Sequence, residues 1–475
     1  MPESQLSNPA PDTAPVVSGP PPQPKPERLM SLDAFRGLTI AGMILVNNPG
    51  SWDTIYWPLE HAPWDGWTPT DFVFPFFLFM VGTAMTFSFD KRLKLAGSGT
   101  ATSLLSHAFA RAAVLILLGL TLTGFPNFRL ITPFILSIAG IQLLFNDKPG
   151  EHRRRTTPLG WMLFGLGLVW WVVDFRYFNG PAPRGSFSDF FPLGPGGKTP
   201  IRIPGVLQRI GLCFAAASVI MVLFPRAWSR LAWAIGLIAL YWVMMKYLQA
   251  PAGYIIGNGV EGAKPDAPAG VPFPGTFNDW LDVSLLGGHL YRVRPDPEGL
   301  LSTIPAIATT LLGALAGMWL QNPSTRRESK GGHMFIAGLV LIGVGEIMGI
   351  YFPINKKIWT SSYVVAMAGW SLVFFAACYH LIDVRGWKRW SLPFVVLGTN
   401  SILAFFGSGL MAKAMGMIKW GPTDNQVSLH SFLYSFYKSG ISNPKNASLA
   451  WAICFVTLWV LLITPLYRKK IFLKV

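Results

Sequence analysis

Acid–base chemistry is concentrated in one short stretch, where His61 stands among Asp53, Glu60, Asp65 and Asp71, with Trp52, Trp64 and Trp67 interleaved. A histidine titrates near physiological pH, so it can take a proton from an attacking group or itself attack an acyl carbon. The same histidine also reads as an interfacial side chain bonded to Glu60 or to a backbone carbonyl, and the tryptophans as an aromatic belt at a membrane surface. Two apolar segments flank the stretch and carry Arg36, Asn47 and Asp71 at or within their ends. A charge at membrane depth costs about 3 kcal/mol or more unless paired, so Arg36 needs a partner. Asp33, three residues earlier, shares its helix face.

The elements that hold these residues follow from composition. The chain has 475 residues, is 51% hydrophobic and only 13% charged, and contains 34 Phe and 19 Trp. That balance excludes an ordinary soluble domain and points to an all-α, polytopic membrane helix bundle. Lysine and arginine outnumber acidic residues 39 to 23, but they sit in short runs between apolar segments, as loops facing the cytoplasm do, so nucleic acid is not expected as a partner. Apolar segments recur at 32–48, 72–89, 104–123, 131–145, 159–175, 206–224, 231–248, 300–320, 335–352, 363–382, 393–411 and 449–466. At about twenty residues each, they predict about twelve spans, with both termini cytoplasmic. Residues 1–28 are Pro-rich and read as a disordered cytoplasmic tail ahead of a transmembrane domain over 29–475. Residues 249–299 read as a periplasmic insertion. Cys213, Cys378 and Cys454 lie inside apolar segments and imply neither a disulfide framework nor a metal site.

On this topology the His61 hairpin, the end of the long insertion with Asp296 and Glu298, and the turn carrying Lys356 and Trp359 converge on one membrane face. Arg111, Gln208, Arg209, Asn400 and Ser401 lie deeper, and buried donors of this kind line a cavity or pair with one another. Simpler readings stand beside these: Asp296 and Glu298 as helix caps, Gln208 and Arg209 as glue between helices, and the Gly345/Gly349 spacing around Glu346 as helix packing or a dimer face. There is no Gly-rich phosphate loop, metal-ligand helix pair or GxSxG elbow. Residue chemistry alone stops at a membrane enzyme or transporter with an outward polar site.

The runs SLDAFRG, LVNN, HAPWDG with DFVFPFFLFMVG, RIPGVLQRIG, DPEGLLSTI, NKKIWTSSY, LGTNSILAF and YRKKIF occur in order from Ser31 to the C-terminus. Together they resemble the family of lysosomal heparan-α-glucosaminide N-acetyltransferase and its bacterial NagX-type relatives. The resemblance implies a multi-pass protein of the bacterial inner membrane that moves the acetyl group of cytosolic acetyl-CoA to the amine of a glucosamine-type sugar on the periplasmic side. It also suggests a homodimer. The family's essential histidine matches His61 and the asparagine of its first span matches Asn47, with Asp71 or Asp296 orienting the imidazole or the sugar. Arg36, Arg111 and Arg209 are the candidates for the coenzyme A phosphates, with Gln208, Asn400 and Ser401 beside them. Trp64, Asp296, Glu298, Lys356, Trp359 and Tyr363 are the candidates for the sugar pocket. Two departures are expected: no lumenal N-terminal domain of the animal kind, and a two-helix insertion over 125–198. A secondary transporter of sugars or muropeptides, and an O-acyltransferase acting on envelope glycans, are the competing readings.

Overall fold

The computed structural model describes residues 29–95, 100–145, 151–173, 201–256, 264–265, 275–422 and 426–473. The expected tail over 1–28, and parts of the segments 125–198 and 249–299, lie outside them. Among the described residues the chain is helical, with only two pairs of two-residue strands. Over its described residues each apolar segment named above is largely helical: α1 Met30–Asn47, α2 Val73–Leu95, α3 Thr100–Gly124, α4 Phe128–Leu144, α5 Glu151–Val173, α6 Val206–Leu223, α7 Ala227–Tyr247, α9 Thr303–Gln321, α10 Arg327–Tyr351, α11 Ser361–Cys378, the pair α12 Leu392–Thr399 and α13 Ser401–Met417, and α15 Pro444–Arg468. Two shorter helices, α8 Gly275–Leu286 and α14 Leu429–Gly440, lie between them.

The protein is a polytopic helical membrane protein. Among the described residues, eight helices are long and apolar enough to cross a hydrocarbon core, or nine if α12 and α13 form one span bent by 75°. That is fewer than the twelve spans expected. The physical reasons are local. The first helix carries Asp33 and Arg36, which dilute its hydropathy, and α4 has only 17 residues. The expected partnership in α1 is present: Arg36 Nη2 donates to Asp33 Oδ1 at 2.7 Å, and its Nε donates to Gly398 O at 2.8 Å.

Within the bundle, α2 and α9 press together where neither has a side chain to separate them. A Cβ added at Gly313 would lie 1.9 Å from Phe79 O, and one at Gly82 would lie 1.8 Å from Thr310 O. Thr83 and Thr86 then donate across the gap to Gly313 O and Ala314 O at 2.9 and 3.0 Å. Membrane helices lack a hydrophobic drive toward each other, so such close approach and interhelical hydrogen bonds hold them. Gly313→Leu is therefore expected to destabilise the bundle by about 3 kcal/mol or more, since backbone must move. A lowered unfolding midpoint in detergent checks this. Gly345 plays a similar part between α10 and α11, backing onto Ala366. Its small-residue spacing thus serves packing inside the chain. At one end of the bundle, α1 hands over to the segment 48–72, and that segment carries the site.

Candidate functional site

His61 is placed by a segment tied down at both ends. Near α15, Gly50 N donates to Ser448 O at 3.4 Å and Ser51 N to Ser448 Oγ at 3.1 Å. On the other side, Gly66 N donates to Ile354 O at 2.7 Å, and Lys357 Nζ donates to Pro63 O. Asn355 Nδ2 reaches Asp65 Oδ1 at 3.3 Å, while its own Oδ1 accepts from Lys357 N at 2.8 Å. The turn 353–360 and the histidine hairpin are thus one cross-braced unit.

Asp71 is the third residue of the helical turn Pro69–Phe72 that precedes α2, and its carboxylate is fully enclosed. Its Oδ2 accepts from Ala62 N at 3.1 Å, Thr68 N at 3.0 Å and Thr68 Oγ1 at 3.1 Å. Its Oδ1 lies 2.7 Å from His61 Nδ1. Three donors leave the carboxylate no freedom to turn, so it assigns the imidazole proton to Nδ1 and leaves the Nε2 lone pair facing outward. Tyr363 OH closes the back of the unit by donating to Asp71 O at 2.6 Å.

Above the ring, Lys356 Nζ stands 3.0 Å from Nδ1, 3.2 Å from Nε2 and 3.6 Å from Asp71 Oδ1. Burial pulls its ammonium below the usual lysine range, Asp71 and Glu298 oppose that, and Lys357 adds to it. His61, Asp71 and Lys356 share a cavity of about 470 Å3 with Asn47, Trp64 and Glu298. That volume lies in the range of small-molecule sites.

The far wall of the cavity is built on Arg202. Its guanidinium holds Asp296 at 3.1 and 2.6 Å and Glu298 at 2.5 Å, and lies 4.5 Å from the centre of the Tyr291 ring. Asp296 also accepts from Tyr291 N at 2.7 Å and Glu298 N at 3.0 Å. Burial pushes the Asp296 carboxyl up, but Arg202 outweighs it and holds the group below the usual carboxylate range. The Arg202 guanidinium is in turn pulled down by burial and raised further by Asp296 and Glu298.

Behind this wall, α8 supplies a second buried acidic pair, Asp279 and Asp282. Asp279 Oδ2 accepts from Tyr254 OH at 2.7 Å, and its other oxygen pairs with Arg294. Asp282 accepts from Leu300 N at 2.9 Å. Burial, then the charge of Asp296, push the Asp282 carboxyl up from 3.8 to about 7. The folded state therefore binds this proton more tightly than the unfolded chain does. Stability falls as pH rises through the interval from about 4 to about 7, by at most about 4 kcal/mol. In Asp282→Asn that slope is expected to flatten, which thermal unfolding of the two proteins across that interval measures.

The residues singled out from the sequence fall into three places. Asn47, His61, Trp64, Asp71, Glu298 and Lys356 line the cavity. Asp296, Trp359 and Tyr363 are buried one layer behind it. Trp359 is held at φ 53° between Phe74 and Tyr363, a backbone conformation a tryptophan keeps only under constraint. The others lie apart from the cavity. Arg209 donates to Gly299 O at 2.8 Å and to Ser302 Oγ and lies over the Trp359 ring, while its Nε and Nη1 have no protein partner. Gln208 is buried against Gly119 of α3, and Arg111 stands over Phe214. Asn400 and Ser401 form the break between α12 and α13, where Asn400 bonds Ile471 O at 3.1 Å and Leu473 N at 2.8 Å. Arg202 and Thr68 were not singled out, and Asn355 and Lys357 entered only within the run NKKIWTSSY. Arg202 is the first residue of RIPGVLQRIG, and its position in that run was the one available signal.

No family model matches the chain. It is similar to human heparan-alpha-glucosaminide N-acetyltransferase, 27% identical over 489 residues, which cover 95% of this chain and 60% of the relative. The mouse protein of the same name is 25% identical over 492 residues, 94% of this chain and again 60% of the relative. This is distant homology over nearly the whole chain. The chain spans about 60% of the length of the curated relatives it matches.

Proposed function

We propose that this chain is a membrane acetyltransferase that passes the acetyl group of acetyl-CoA to the amine of a glucosamine-type sugar. The observation that carries the reading is the buried Asp71 carboxylate fixing His61 at the rim of a cavity with Asn47 and Glu298. The distant similarity to two N-acetyltransferases supports the choice of reaction. An amine attacks a thioester once it has lost its proton, so the site must supply a base, hold the acyl carbonyl and receive the developing oxyanion.

In this reading His61 Nε2 takes the ammonium proton of the sugar, or attacks the thioester to form an acetyl-imidazole that the amine then opens. Asp71 orients the ring in both routes. Asn47, on the last turn of α1, donates its amide to the thioester oxygen. Glu298 holds the sugar's ammonium or a hydroxyl, with the faces of Trp64 and Tyr291 available to the apolar side of the ring. Arg209 and Arg36 lie apart from this cavity and are the candidates for anionic oxygens of the donor beyond it, Arg209 through its two nitrogens without protein partners. The donor arrives from the cytoplasm, where both termini lie, and the acceptor from the periplasm across a bacterial inner membrane.

Purified protein with labelled acetyl-CoA and glucosamine tests the reading. Label on the sugar nitrogen is the expected result, and label on oxygen would instead make the chain an O-acyltransferase. The bent α12–α13 pair is a feature that secondary transporters share. Sugar uptake into liposomes without acetylation would favour that alternative.

A further inference from the structure

The cavity already contains the functional group that the proposed reaction consumes. Lys356 presents a primary amine on a flexible stem, 3.0 and 3.2 Å from the two nitrogens of His61, inside the space shared with Asn47 and Glu298. Its side chain is 15% exposed and lines the cavity. With the Nδ1 proton committed to Asp71 at 2.7 Å, the nitrogen left to accept a proton or carry an acyl group is Nε2. An acyl carbon delivered to Nε2 therefore lies within near-attack distance of Lys356 Nζ as well as of a bound sugar.

We propose that Lys356 is itself an acetyl acceptor: when no amino sugar fills the cavity, the donor's acetyl group passes to Lys356 Nζ and remains there as an acetyl-lysine. The inference rests on the acetyltransferase reading above. Neutral Nζ attacks the thioester carbonyl carbon, the carbon–sulfur bond breaks, and coenzyme A leaves as the thiolate. The proton lost from Nζ goes to His61 Nε2 and from there to the thiolate or to solvent. Atoms and charge balance without any further reactant.

Two carboxylates set how often this happens. Asp71, at 3.6 Å, and Glu298 both favour the ammonium form, which cannot attack, while burial and the neighbouring Lys357 favour the free amine. Transfer to Lys356 is accordingly slow beside transfer to a sugar, whose amine is not held beside the buried Asp71 carboxylate. Once it occurs, the product is a neutral amide. It no longer pairs with Asp71, and its added acetyl group occupies the cavity mouth, so the acetylated chain is a self-blocked enzyme.

Lys357 is the internal comparison. It is the next residue and carries the same chemistry, but its Nζ donates to Pro63 O and stands 5.9 Å from the centre of the Trp64 ring. No acetylation is expected there.

The full-length protein in detergent, incubated with acetyl-CoA alone, should gain one acetyl group at Lys356. Peptide mass spectrometry should find that residue labelled roughly a hundredfold faster than exposed lysines such as Lys388 and Lys469. Glucosamine should suppress the label by competing for the same acyl carbon. His61→Ala and Lys356→Arg should each reduce it to background. Equal labelling of Lys356 in wild type and His61→Ala, or label confined to exposed lysines, would overturn the proposal. Lys356 left unmodified in the sugar-free incubation, by protein that acetylates glucosamine when it is supplied, would also overturn it while leaving the acetyltransferase reading intact. Transfer to neither sugar nor Lys356 would defeat both.

Discussion

His61→Ala is expected to lower acetyl transfer by about 10^3-fold, the usual contribution of a positioned base, while binding of coenzyme A stays close to wild type. The imidazole side chain is half-exposed at the rim of the cavity, so its removal leaves no buried void. The loss should therefore appear in kcat with the fold intact. Asp71→Asn should have an effect of comparable size, because the amide keeps contact with the ring yet no longer assigns the proton to Nδ1. A rate series on the two variants, with isothermal titration of coenzyme A, checks both statements. Turnover retained in His61→Ala would remove this residue from the chemistry.

The largest expected effect on stability lies at a residue that makes no direct claim on the reaction. Removing the Arg202 side chain leaves Asp296 buried, with its charge facing Glu298 and no cation between them. Breaking a buried pair by deleting one partner costs about 3–5 kcal/mol. Arg202→Ala is expected to lower the unfolding midpoint strongly and to raise KM for the sugar, since Glu298 loses the contact that positions it. Arg202→Lys restores a charge but not the planar fork that spans both carboxylates, so it should recover only part of the stability. An Arg202→Ala protein with wild-type stability would show that the acidic pair finds another partner. Wild-type KM in the Lys variant would show that Glu298 needs no clamp.

The sequence was most legible where physics is local. Helices follow from apolar runs, and those at 206–224 and 104–123 reappear almost unchanged as α6 and α3. The pairing of Arg36 with Asp33 was readable because the partners lie one helical turn apart. His61 and Asn47 were legible through resemblance rather than spacing. The Arg202 clamp was not legible, since its carboxylates lie 94 and 96 residues away and nothing in the local pattern announces them. The bond between Asn355 and Asp65 spans 290 residues and is equally silent.

The segment 393–411 reads as one apolar helix, yet it breaks at Asn400. Partners from elsewhere stabilise the break: Arg36 takes the carbonyl of Gly398, and the C-terminal segment takes the side chain of Asn400. The amphipathic helix α14 was missed for a different reason. It is short and rich in Ser and Tyr, and its burial depends on Trp451 and Ala447 of α15.

The central claim is that one bundle joins a donor from one side of the membrane to an acceptor on the other at His61. Proteoliposomes with labelled acetyl-CoA confined to one compartment and glucosamine confined to the other test it directly. For the fraction of protein in the correct orientation, N-acetylglucosamine should accumulate on the acceptor side at a rate that His61→Ala abolishes. Acetylation only when both reactants share a compartment, or at an undiminished rate in His61→Ala, would contradict the account.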